Sequence, residues 1–149
     1  MRTRIAAERR MDAPADVVFH CLADYREHHR PGGFLPPAFS DLEIIRGGVG
    51  TGTDYRIAMT LGGRRRAMTA SVTETVPGRE LVETGSGVRT VFTVEPTPSG
   101  ALVRFDTVMD AGGLEGLMNR LFAGRLLRPV YADELERLEA YARAHAPAT

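Results

Sequence analysis

Residues 114–145, LEGLMNRLFAGRLLRPVYADELERLEAYARAH, decide how the rest of the chain must fold. Leu114, Leu117, Met118, Leu121, Phe122 and Leu126 recur at three- and four-residue steps, which stacks them on one stripe of a helix. Tyr131, Leu135, Leu138 and Ala142 form a second stripe, with Asp133, Glu136, Arg137 and Arg143 opposite. The stripes are rotated relative to each other, and Pro129 lies between them. Proline removes an internal hydrogen bond and crowds the preceding turn. The spacing therefore predicts one long helix, kinked near Pro129, whose two halves grip the same surface.

That surface must come from upstream. Arg4 to Met11 alternates weakly and reads as a strand, and Asp12 and Pro14 are helix-entry residues. Val17, Val18, Cys21 and Leu22 give a short helix its apolar face, and Ala23 to His29 adds a further turn before a Pro/Gly-rich loop. From there the rhythm is extended: Asp41–Arg46, Thr53–Leu61, Arg64–Val76, Arg79–Thr84, Val88–Glu95 and Ala101–Asp110, each closed by glycine or proline. Connections this short imply antiparallel hairpins. The expected class is α+β: one antiparallel sheet, two short helices after its first strand, and a carboxy-terminal helix as the covering layer.

At 149 residues the chain reads as one domain, 1–149. Lys+Arg 19 balances Asp+Glu 19, so no whole-molecule field attracts nucleic acid or an anionic membrane, and no nucleic-acid partner is expected. The lone Cys21 excludes an intramolecular disulfide and suits a reducing compartment. No apolar run has signal-peptide character or membrane-spanning length. The expectation is a cytoplasmic protein without membrane insertion, a monomer or a homodimer.

Met11-Asp12-Ala13-Pro14-Ala15-Asp16-Val17-Val18-Phe19 resembles the strand-to-helix entry of the Bet v 1-like superfamily, the START-related SRPBCC proteins, which include polyketide cyclases and dehydrases. Gly50-Thr51-Gly52-Thr53 and Val72-Thr73-Glu74-Thr75-Val76-Pro77-Gly78-Arg79-Glu80-Leu81 look like that family's central hairpins. The resemblance spans nearly the whole chain. It implies a helix-grip fold, a curved antiparallel sheet wrapped around the long helix with an apolar cavity between them. It does not fix function, because the superfamily includes lipid carriers, hormone receptors, aromatase/cyclases, chaperone activators and ligand-recognition domains of oxygenases.

Strand alternation assigns the cavity-facing side chains. Tyr55, Ile57, Met59 and Leu61 share one phase; Met68, Ala70 and Val72 another; Thr90, Phe92 and Val94 a third; Val103, Phe105, Thr107 and Met109 a fourth. Arg104, Asp106 and Glu95 fall on the solvent side. The candidate ligand-binding residues are Met59, Met68, Phe92, Phe105 and Met109 from the strands, Met118 from the helix, and the polar Tyr25, His28, Tyr55, Thr107 and Tyr131 around an entrance. Methionine suits either an irregular core or an adaptable apolar site. Arg66 falls on the inward phase as well; it lies either at a cavity mouth, facing an anionic or carbonyl group, or at the solvated end of a hairpin with Arg64 and Arg65.

His20, Asp24 and His28 recur every four residues, and a continuous helix would stack them as a metal-binding or proton-shuttling face. A helix break near Ala23 makes polar surface the reading adopted, with no metal expected. No catalytic residue is assigned: zinc, nucleophile-elbow and phosphate-loop motifs are all missing, and no cofactor is expected. The expected role is binding of a small hydrophobic ligand. A polyketide cyclase or dehydratase acting by acid–base catalysis and a chaperone-cofactor-like interaction module are the alternatives.

Overall fold

The computed structural model describes residues 3–110 and 120–147. Strand β1 (Thr3–Met11) leads into helices α1 (Ala15–Ala23) and α2 (Tyr25–His28), and six strands follow. These are β2 (Phe39–Arg46), β3 (Asp54–Leu61), β4 (Arg64–Val76), β5 (Glu80–Gly85), β6 (Val88–Thr97) and β7 (Gly100–Met109). Helix α3 (Arg120–His145) comes last. The strands form one curved antiparallel sheet in the order β1-β7-β6-β5-β4-β3-β2. Every neighbour pair except β1–β7 is a hairpin, so the amino-terminal strand finds its place only once β7 exists.

The hairpins follow from local sequence. Gly62 and Gly63, at φ +56° and +80°, turn β3 into β4 through backbone that only glycine adopts at little cost. Alternation then places Tyr55, Ile57, Met59 and Leu61 of β3 in the interior, and Val103, Phe105, Thr107 and Met109 of β7 beside them. This is the helix-grip fold: α3 runs through Pro129 and lies against β1 and α1.

On α3 the buried stripe is Leu127, Tyr131, Glu134, Leu135, Leu138 and Ala142. Leu126, expected on the stripe, is only half-buried, and Leu127 takes the interior position one residue on. Leu114, Leu117 and Met118, and the side chains of Leu121 and Phe122, lie outside the described residues. Glu139 ties the helix to the end of β1, accepting from the Asp12 backbone N–H at 2.7 Å and from Arg9 Nε at 2.9 Å. Those two donors hold its carboxyl below the usual carboxylate range.

Candidate functional site

Strand register builds the site. Val72, Glu83, Thr90, Thr107 and Ile5 are successive cross-strand partners, one row running across β4, β5, β6, β7 and β1. Four of the five have side chains expected in an interior; Glu83 does not. Between this row and α3 lies a cavity of about 90 Å³. Its walls are apolar, with Ile57, Met59, Met68 and Phe92 from the sheet, Leu22 from α1 and Leu127 from α3. Leu35, Phe39 and Leu42 line it from the loop and strand after α2.

Two carboxyl groups also line it, Glu83 from the sheet and Glu134 from the helix. Tyr25 Oη donates to Glu83 Oε2 at 2.5 Å, and the Tyr55 hydroxyl bonds the same carboxyl. Burial pushes the Glu83 pKa up, while the two tyrosine donors work against that shift. Glu134 receives no hydrogen bond among the described residues. Burial, followed by the charge of Glu83 and then of Asp133, pushes its pKa up to about 8. Near neutral pH Glu134 is therefore largely a neutral acid with a proton to give, whereas Glu83 is the better placed of the two to carry charge.

The polar groups around these acids are held firmly. The ring of Tyr25 stacks between His29 and Tyr55, with centroids 4.2 and 5.1 Å away. His29 Nε2 donates to the Leu22 carbonyl at 2.9 Å, and burial lowers the His29 pKa to about 4, so the imidazole is neutral. Thr90 and Thr107 hydroxyls meet at 2.8 Å, and Thr107 meets the Tyr131 hydroxyl at 2.5 Å. No arginine lines the cavity among the described residues, and the chain contains no lysine.

Residues 2–143 match the family described as "Polyketide cyclase / dehydrase and lipid transport". The chain belongs to this family. Its fold is shared by the KanY protein, known from a solution structure, at 24% identity, TM-score 0.80 and coverage of 96% of this chain and 99% of that one. The Zhui aromatase/cyclase of a Streptomyces species superposes at TM-score 0.70 and 17% identity, covering 99% and 98%. Ara h 8.0201 does so at TM-score 0.71 and 14% identity, covering 97% and 99%. No curated protein matches the sequence.

Within this polyketide cyclase/dehydrase-family fold, Tyr25, Tyr55, Met59, Met68, Phe92 and Tyr131 line the cavity. Phe105, Thr107 and Met109 do not: all three are buried, but behind it. Phe105 packs edge-on against Phe92 and Tyr131, and Thr107 acts through its bond to Tyr131. Arg66 is paired with Met59 in the ladder, hence on the inward phase, yet it is exposed and not at the cavity. It lies next to the hairpin end, beyond the covering layer that an inward side chain needs. His28 is also corrected: its Nδ1 meets the Tyr141 hydroxyl at 2.7 Å on α3, and the adjacent His29 lines the cavity. Met118 lies outside the described residues.

Sequence reasoning missed Glu83, Glu134 and His29. The signal for Glu134 was present, three residues after Tyr131 and four before Leu138, on the apolar stripe itself. Glu83 shares the phase of Leu81, but Leu81 and Val82 are both apolar and leave that strand's facing undecided.

Proposed function

We propose that this protein binds a small, largely apolar molecule between sheet and α3, with Glu83 and Glu134 meeting its polar end. The observation that carries this reading is a pair of carboxyls, Glu134 buried and Glu83 half-buried, lining a largely apolar cavity. Withdrawing Glu134 from water costs stability that core packing alone would not require, and a ligand's polar group gives it a partner. The volume limits the ligand. About 90 Å³ is less than the roughly 150 Å³ apolar cavity that accepts benzene, so a monocyclic molecule enters only as side chains yield. Met59 and Met68, flexible at every bond, are the ones suited to yield.

Acetophenone, a single ring with one carbonyl, should bind the folded protein saturably at one equivalent. Met68→Phe should weaken that binding while leaving the melting temperature near that of the parent, because it fills space. Absence of saturable binding, together with a destabilised Met68→Phe, means a packed core and defeats the proposal.

The carboxyl pair also favours a second reading, acid–base chemistry on a carbonyl compound. Glu134 as the neutral acid donates to the carbonyl oxygen, and Glu83 as carboxylate removes a proton from the neighbouring carbon, giving the enol. The Zhui protein is named an aromatase/cyclase, and the family description names cyclase and dehydrase alongside lipid transport. Exchange of the α-protons of a small aryl ketone in deuterated buffer, followed by NMR, tests it. The parent should accelerate exchange and Glu134→Gln should not. Equal rates with and without protein would leave binding alone.

A further inference from the structure

His20, Asp24 and His28 come together in the fold, away from the cavity. One ligand atom from each lies within 4.8 Å of the others. His20 is in the last turn of α1, Asp24 links α1 to α2, and His28 ends α2. At Asp24 the backbone leaves the helix (φ −92°, ψ 92°), so the alignment does not come from a continuous helix. The glycine loop between β2 and β3 holds the junction instead: the Tyr25 N–H donates to the Gly48 carbonyl at 2.7 Å, and the Gly50 N–H to the Ala23 carbonyl at 2.9 Å.

The cluster does not satisfy itself. Asp24 Oδ1 accepts from the Glu27 N–H at 3.0 Å, while Oδ2 lies 3.8 Å from His20 Nε2, beyond hydrogen-bond range. His28 is buried with its Nδ1 against the Tyr141 hydroxyl, which fixes the ring and leaves its other nitrogen available. We propose that His20, Asp24 and His28 form a binding site for a divalent transition-metal ion, Zn²⁺ foremost, with water completing the coordination. Two imidazoles and one carboxylate suit Zn²⁺ and its neighbours and not Mg²⁺ or Ca²⁺, which take oxygen ligands. Tetrahedral bonds of about 2.0–2.1 Å put ligand atoms roughly 3.3 Å apart. The ligand atoms must close from within 4.8 Å by up to about 1.5 Å, and exposed His20 has the rotamer freedom to close in. Tyr141 is a positioning residue that orients His28 from the other side of its ring.

The site has a consequence for the cavity. Leu22, Tyr25 and His29 line the cavity and are interleaved in sequence with the three ligands. An ion that joins α1 to α2 therefore stiffens one cavity wall.

Untagged, chelator-treated protein is titrated with Zn²⁺ by calorimetry and with Co²⁺ by visible absorption. One equivalent should bind, and His20→Ala should weaken it about tenfold or more, since losing a ligand costs at least what losing an outer partner does. His20 is exposed, so the metal-free melting temperature of that variant should match the parent. Tyr141→Phe should weaken binding within about 10–100-fold and alter the Co²⁺ spectrum. The absence of saturable binding in the parent overturns the proposal, as does unchanged affinity in both His20→Ala and His28→Gln. Loss on His145→Ala with retention on His20→Ala also overturns it, by moving the ion to the ring pair His28–His145, whose centroids are 5.5 Å apart.

Discussion

Glu83 on β5 and Glu134 on α3 line one cavity, and the charge of Glu83 is the second cause, after burial, of the raised pKa of Glu134. Like charges close together in a poorly solvated space do not both ionise readily. Burial raises the pKa of Glu83 as well, but two tyrosine donors work against that rise, and Glu134 has no such donor among the described residues.

This arrangement gives a pH dependence with a definite sign. Glu134 has a folded pKa of about 8 against its ordinary 4.5, so its contribution to stability is full below pH 4.5 and is lost as pH rises through 8. His29, at about 4 against 6.5, acts oppositely: its contribution is present above 6.5 and is lost as pH falls through 4. The two oppose each other between pH 4.5 and 6.5, and Glu134 acts without that opposition from 6.5 to 8. Denaturation midpoints should fall across the upper window in the parent and stay flatter in Glu134→Gln. Parallel profiles would mean that Glu134 is not buried as described.

Leu138 is fully buried on the gripping face of α3, and Arg66 is exposed on β4. Leu138→Ala should cost about 2–5 kcal/mol. Arg66→Ala should stay within about 0.5 kcal/mol. Chemical denaturation of both variants checks the contrast, and comparable losses would put the hairpin end under the covering layer.

Tyr25→Phe removes one of the two tyrosine donors from the half-buried Glu83 carboxyl and leaves ring stacking in place. The expected cost is about 1 kcal/mol, that of losing one hydrogen bond to a half-buried carboxyl. An undiminished midpoint would show that Tyr55 alone satisfies Glu83.

The architecture was legible because it rests on period. Tyr55, Ile57, Met59 and Leu61 alternate without a break and are all buried, and Leu135, Leu138 and Ala142 keep helical spacing and are all buried. The site was legible only where its residues are apolar or aromatic. Glu83 and Glu134 escaped that reading because a carboxylate is ordinarily solvent-facing. What holds the Glu83 carboxyl is Tyr25, 58 residues earlier, and sequence spacing does not report that pairing. His28 and His29 show the same limit at finer grain: α2 ends at His28, and the turn after it decides which imidazole faces the cavity.

The central claim is that the space between sheet and α3 accepts a ligand. Met59 and Met68 line it, whereas Met11 and Met109 are buried elsewhere. With methyl-¹³C methionine, titration with acetophenone should shift the Met59 and Met68 resonances along one saturable curve and leave those of Met11 and Met109 in place. Linear, unsaturated drift of all the methyl signals, or no shift at Met59 and Met68, would contradict it.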